Sequence, residues 1–258
     1  MRHRPSTSWD PEKYLTYADE RGRPFVDLIS QVPGDASTIV DLGCGPGQLT
    51  HVLRERWPQA QITGVDSSPE MIDKAIADNT DPHASYELAD VSKWSGEADL
   101  IVSNALFQWV PDQLDVLTRL TGRTGTIAVQ VPNNFDAPSH ALMREVAARS
   151  PYAEHLEGFE FRTGFGAETY LDLFAGLGWS VDAWETTYQH ILPGDDAVFT
   201  WVSGTGARPV LQALPDGIRE EFVEDYKAAL REAYPRRPWG TVLPFARAFV
   251  VAQRPSGV

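Results

Sequence analysis

The chain has 258 residues, 42% of them apolar, with 22 basic against 36 acidic side chains and a formal net charge of -14. At that length folding hides on the order of 70–75% of the unfolded chain's surface, so one large-cored domain with insertions is expected. The basic residues are scattered rather than clustered, which argues against nucleic acid, a polyanion held by neutralising its phosphates. No run approaches the roughly 18 apolar residues of a membrane span, so no membrane partner is expected. The opening MRHRPSTSWD carries charge with no apolar segment behind it, so no signal peptide is expected. Cys44 is the single cysteine; an internal disulfide is impossible, and a reducing cytoplasm is the expected location.

In chain order, apolar runs of strand length stand at 38–42, 61–65, 84–88, 100–103 and 126–131, with helical spacing between them. Leu49, Val52 and Leu53 share one face before Trp57-Pro58. Met71, Ile72, Ala75 and Ile76 recur after Ser67-Ser68-Pro69-Glu70, where Ser as N-cap, Pro at the first helical position and an early Glu satisfy a helix start. Alternation of this kind predicts right-handed crossovers and a parallel sheet covered on both faces. Beyond 133 the rhythm changes. Two further strands are expected at 181–188 and 245–252. A helix over 218–234 carries Ile218, Phe222, Tyr226, Ala229 and Leu230 on one side and an acidic face on the other. The reading is a single domain: a core of about 30–132 plus 180–190 and 243–254, and a helical cap from 1–29, 133–179 and 191–242. A plain surface excursion remains open for the inserted segments.

The stretch IVDLGCGPGQLT puts Gly43, Gly45 and Gly47 directly behind the first strand, where open parallel sheets bind ligands. The dinucleotide pattern G-x-G-x-x-G is not met: position 48 is Gln, and Pro46 removes a backbone donor. The Lys-Ser/Thr of a P-loop is absent too. Asp41, two residues before the first glycine, would repel a phosphate. The turn suits a ligand that is not anionic there.

A strand followed by D-x-G-x-G-x-G, with the acid Asp66 ending the next strand, resembles the class I methyltransferases that bind S-adenosylmethionine. Their fold is a Rossmann-like, doubly wound α/β sheet of seven strands, here with helical cap insertions. The resemblance implies a cofactor site of Asp41, Gly43, Cys44, Gly45 and Gly47 in the turn. It continues with Asp66, Ser67 and Met71 after the second strand, Asp90 and Val91 after the third, and Ser103 and Asn104 after the fourth. Asp66 is expected on the ribose hydroxyls, Asp90 or a neighbouring amide on the adenine amino group, and 103–105 beside the methionine portion. Within that class the segments WDPEKYLTYADERGRPF, NALFQWVPD, VQVPNNFDAPSH, WETTYQH and PFARAFVVA resemble the trans-aconitate methyltransferases. That implies methyl transfer to one carboxylate of a small tricarboxylic acid, with another small acid or natural product as the alternative. The N/D-P-P-Y/F pattern of amino-methylating enzymes is absent, since the segment after the fourth strand reads NALF.

A carboxylate nucleophile, with a reference pKa near ~4, is ionised at neutral pH and needs no general base. No base constellation stands out, so no catalytic residue is assigned beyond positioning. A tricarboxylate requires local cations and directional donors, for which arginine forks are suited. The substrate candidates are Trp9, Tyr14, Arg23, His140, Tyr188 and Arg247, with His190 as a further donor or wall. Arg247 is either a ligand or a structural ion-pair residue, Arg23 a surface charge or a grip on a carboxylate, and His140 a helix-start residue or a ligand. Cys44 reads as a small residue permitting close backbone approach. Trp94, Trp109 and Trp184 read as core or pocket lining. No His/Cys/Asp spacing suggests a metal. A nicotinamide-dependent oxidoreductase and a non-catalytic cofactor-binding protein are the competing classes; the glycine spacing speaks against the first and the intact Gly43, Gly45, Gly47 and Asp66 against the second.

Overall fold

The computed structural model describes residues 22–255. Its first elements alternate: α1 Arg23–Gln31, β1 Thr38–Leu42, α2 Thr50–Arg56, β2 Gln61–Asp66, α3 Pro69–Asp78, β3 Ala84–Leu88, β4 Ala98–Asn104, α4 Gln113–Leu120 and β5 Thr124–Pro132. Helices α5 Pro138–Ala147, α6 Tyr152–His155 and α7 Ala167–Gly176 follow. Then come β6 Ser180–Leu192, α8 Ala197–Ser203, α9 Arg208–Ala213, α10 Asp216–Ala233 and β7 Thr241–Gln253. The seven strands form one sheet in the order β3-β2-β1-β4-β5-β7-β6. Strand β1 pairs in parallel with both β2 and β4, and β2–β3 and β4–β5 are parallel as well. The chain therefore leaves β1 toward one edge and returns through β4 on its other side. That reversal of order is where such sheets open a crevice at their carboxyl ends.

Local chemistry explains the element ends. Ser68 caps α3 by accepting from the Met71 amide at 3.3 Å, Pro69 occupies the first turn, and Glu70 lies beside it. Of the apolar face read for this helix, Ile72 and Ala75 are buried while Met71 and Ile76 are exposed. Strands β6 and β7 run several residues beyond their apolar stretches. In β7 the extra residues include Pro244, which lacks an N–H and is exposed.

Two compact units partition the chain. One contains the described residues up to Val131, Phe165–Glu185 and the described residues from Ala248. Its core joins Leu42, Ile101, Phe107, Leu117, Ile127, Phe174 and Val250. The other contains Pro132–Gly164 and Thr186–Arg247. There α10 turns Phe222, Tyr226 and Leu230 into a core with Met143, Val146, Val202 and Val210. The Tyr226 hydroxyl donates to the Ser139 carbonyl at 2.7 Å, and the Ser139 amide donates to the Tyr234 hydroxyl at 3.0 Å, tying α10 and its end to the start of α5. Among the described residues no helix is long and apolar enough to cross a membrane.

Candidate functional site

The turn after β1 is built on backbone geometry that side chains disfavour. Gly43, Gly45 and Gly47 have φ of +78°, +55° and +76°, a region that costs an L-residue roughly 1–2 kcal/mol. The Gly43 and Cys44 amides both donate to the Val65 carbonyl, at 2.7 and 3.1 Å, which folds the turn back on the end of β2. Gly43 is bare for a second reason: a Cβ there would lie 2.8 Å from Leu106 Cβ.

Asp66 closes β2 and is fixed through both oxygens. One accepts from the Gly45 amide at 2.9 Å and the other from the Ser68 amide at 2.9 Å. Each oxygen keeps a second lone pair, so an oriented carboxylate is presented beside the turn. Asp90, just past β3, accepts from the Ser92 amide at 2.9 Å and the Ser92 hydroxyl at 2.8 Å, which hold its carboxyl below the usual range. These groups border a cavity of about 470 Å³ lined by Gly43, Asp66, Ser67, Asp90, Val91 and Ser92 on one side. Leu106, Trp109, Val110 and Val116 supply apolar wall. These wall residues follow β4 and were not among the sequence-read ligands, although Trp109 was read as possible pocket lining.

The remaining predicted cofactor residues do not line this cavity. Gly45 and Gly47 shape the turn. The Cys44 thiol is buried, 3.4 Å from the Gly45 carbonyl, and burial followed by the Asp41 charge pushes its pKa up, so it stays protonated and unreactive. Asp41 is buried, and burial, then the Asp66 charge, raises its pKa to about 7. The Ser103 hydroxyl is fully buried and donates to the Leu42 carbonyl at 2.8 Å, so it serves the sheet. Asn104 Oδ1 is buried without a hydrogen-bond partner. It precedes Ala105, a non-glycine residue held at φ +56°, a strained position of the kind found at ligand sites. Met71 is exposed on α3.

The substrate candidates fall out as follows. Trp9 and Tyr14 lie outside the described residues. Arg23 is more than half exposed and stands 3.9 Å from Asp27 one helical turn on. His140 is buried; its Nδ1 lies 3.2 Å from Ser139 Oγ and 3.4 Å from Asn134 Nδ2. Burial, then the Arg144 charge, lowers its pKa to about 4, so at neutral pH it offers an uncharged ring. Tyr188 and Arg247 are both buried in the second unit. Tyr188 stacks with His190, which stacks on Trp201 at 5.0 Å, and His190 and Trp201 both meet Phe245. The Arg247 guanidinium lies 4.7 Å from the centre of the Phe245 ring. Alternate residues of β6 and β7 thus contribute an aromatic wall with a guanidinium in it; Tyr188, His190 and Arg247 were among the sequence candidates, Phe245 and Trp201 were not. Trp94 is core, and Trp184 stacks flat on Phe249 at 4.9 Å. A cavity of about 590 Å³ in the second unit is larger, but its Arg231 and Arg236 are engaged by Asp196 and Asp195. Among the described residues no group of three or more His, Cys, Asp or Glu could hold a metal ion.

Comparison with known proteins bears on this geometry. A family model described as a methyltransferase domain matches residues 14–183. A curated trans-aconitate 2-methyltransferase of Streptomyces coelicolor is 47% identical, covering 98% of this chain and 89% of its own. That of Streptomyces avermitilis is 48% identical, covering 96% and 97%, and that of Mycobacterium sp. (strain KMS) 46%, covering 95% and 99%. Among solved structures, the YcgJ protein of Bacillus subtilis superposes with a TM-score of 0.58 at 11% identity, covering 89% of this chain and 97% of that one. Phosphoethanolamine N-methyltransferase 2 of Haemonchus contortus, in complex with S-adenosyl-L-methionine, gives 0.51 at 14% identity, covering 88% and 50%. The structures share the fold; the full-length identities carry the classification, and the chain belongs to the methyltransferase family of the trans-aconitate 2-methyltransferases.

Proposed function

We propose that the protein uses S-adenosylmethionine to methylate one carboxylate of trans-aconitate, giving a monomethyl ester. The observation that carries this reading is 46–48% identity to trans-aconitate 2-methyltransferases over at least 95% of the chain. The first unit fits such a cofactor. Its turn offers no phosphate cradle, Asp66 presents two oriented oxygens to a diol, Asp90 and the Ser92 region offer a polar edge, and Leu106, Trp109 and Val110 offer a wall for an aromatic base.

When bound, S-adenosylmethionine supplies a methyl group activated by its sulfonium. The residues of the chain then have two tasks. Asp66, Asp90 and the glycine turn hold the donor. Arg247, with the Tyr188 hydroxyl and the neutral His140 ring as directional partners, receives the carboxylates of the acid, and Arg23, Trp9 and Tyr14 complete the proposed set. A substrate carboxylate is already ionised at neutral pH, so no proton has to be moved. What the protein contributes is alignment and removal of water, which in favourable systems supplies on the order of 7–11 kcal/mol.

Incubation with methyl-labelled S-adenosylmethionine and trans-aconitate tests the reading: label should appear in a base-labile ester of the acid. Label that stays on the cofactor with every small carboxylic acid would overturn it. Arg247→Gln should raise KM for the acid by roughly tenfold or more, the value of a charge-assisted hydrogen bond, with cofactor affinity unchanged. An unchanged KM in a folded variant would remove Arg247 from the substrate set.

A further inference from the structure

Tyr86 stands on β3, at one edge of the sheet, two strands away from the glycine turn. Neighbouring strands lie ~4.8 Å apart, so a side chain on β3 ordinarily meets its neighbour on β2 and goes no further. Here the register sets Gly64 of β2 opposite Tyr86. A Cβ on Gly64 would lie 2.7 Å from Tyr86 Cδ1 and 2.8 Å from Cys44 Sγ. Gly64 is not among the glycines at positive φ, so its bareness answers to the ring and the thiol rather than to the backbone. A glycine inside a strand that admits a close approach is a known device of sheets.

The ring uses that gap to cross β2. A Cβ on Gly47 would lie 2.6 Å from Tyr86 Oη and 2.9 Å from its Cε1. The hydroxyl donates to Thr50 Oγ1 at 3.1 Å, on the first residue of α2, and the Thr50 amide donates to the Gly47 carbonyl at 3.1 Å. The near end of the turn is held by main-chain bonds to Val65 and by Asp66 on the Gly45 amide. The far end, Gly47 and the helix start, is met by Tyr86.

We propose that Tyr86 is a positioning residue of the cofactor site, its ring laid across Gly64 to set the far end of the glycine turn and, through Thr50, the start of α2. This rests on the reading of the turn as a cofactor site. Tyr86 touches neither the acid nor the reacting atoms in this scheme, so its influence belongs to cofactor affinity alone.

The test is a double-mutant cycle read by calorimetric binding of S-adenosylhomocysteine, together with steady-state kinetics. Tyr86→Phe and Thr50→Val should each weaken binding by roughly threefold to tenfold, the worth of one hydrogen bond. The double variant should be no weaker than either single one, because both remove the same bond. Tyr86→Leu, which also loses the ring, should weaken binding further, with Phe a partial rescue. In all variants kcat at saturating cofactor and KM for the acid should stay within about twofold of wild type. Variants that bind S-adenosylhomocysteine as wild type does, with only a lowered Tm, would make Tyr86 a plain packing residue and overturn the proposal. Should Tyr86→Leu fail to fold, the Phe and Val variants decide alone. A wild-type protein that does not bind S-adenosylhomocysteine at all would overturn the site reading and the proposal with it.

Discussion

At the scale of single residues, the informative positions are those whose chemistry is set by the backbone around them. Asp66 has each oxygen fixed by an amide, which leaves an oriented lone pair on each. Asp66→Asn keeps the volume, loses the charge, and sets an NH2 against an amide donor. Cofactor affinity should fall by roughly tenfold to a hundredfold, as for other charge-assisted bonds, with the circular-dichroism spectrum unchanged. A folded variant with wild-type affinity would remove Asp66 from the site. Asp41 differs: its pKa of about 7 is raised by burial first and by Asp66 second. Below about pH 4 folded and unfolded chains both hold this proton; above about pH 7 neither does. In between, the folded chain keeps a proton that the unfolded chain has released, so stability falls as pH rises through that window, by on the order of a few kcal/mol. Asp41→Asn removes the fall. Its Tm should exceed that of wild type at pH 8, and the gap should close toward pH 4; parallel profiles of Tm against pH would contradict this. Gly43, Gly45, Gly47 and Asp66 were legible because a left-handed turn and a strand-terminal acid leave a local trace in the sequence. Tyr86 left none, since its meaning depends on which residue of β2 stands opposite it.

At the scale of elements, what was legible follows from where stabilising contacts are local. The α3 start was readable from Ser68, Pro69 and Glu70, because a cap satisfies amides within one turn. Ser68→Ala should cost about 1 kcal/mol, lowering Tm by about 2–4 °C for a chain of this size. Cofactor affinity should be unaffected, because Asp66 is held by the Ser68 main-chain amide and not by its hydroxyl. A scanning-calorimetry Tm equal to wild type would show that the cap contributes nothing. Strands β1, β4 and β5 were readable because burial on both faces makes them near-continuous apolar runs, whereas the edge strand β3 is largely exposed. The long ends of β6 and β7 were not: β6 alternates exposed and buried residues, and Pro244 interrupts β7. The short helices α6, α8 and α9 escaped as well, and of α5 only the start was legible, at His140. Each spans ten residues or fewer and relies on packing into the second core, which periodicity does not reveal. The wall residues Leu106 and Val110 were missed for the same reason, being apolar positions whose exposure to a cavity depends on the tertiary fold.

At the scale of the whole molecule, a net charge of -14 sets a problem for a tricarboxylate substrate. Long-range repulsion has to be overcome by a few cations held in a dry environment, where an arginine counts for more than at the surface. Arg247 is buried beside Phe245 whereas Arg23 is exposed, so under the proposed function Arg247 is the stronger candidate of the two. The chain divides into two units, one carrying the glycine turn with Asp66 and Asp90 and the other Arg247, Tyr188 and His140. The most direct measurement is kcat/KM for methyl transfer from S-adenosylmethionine to trans-aconitate, cis-aconitate and isocitrate, compared in one assay. Trans-aconitate should be preferred by at least roughly tenfold, as expected where a site built for one arrangement of carboxylates leaves its polar groups unpaired with the others. Equal turnover of all three acids, or none with any of them despite binding of S-adenosylmethionine, would contradict trans-aconitate as the substrate.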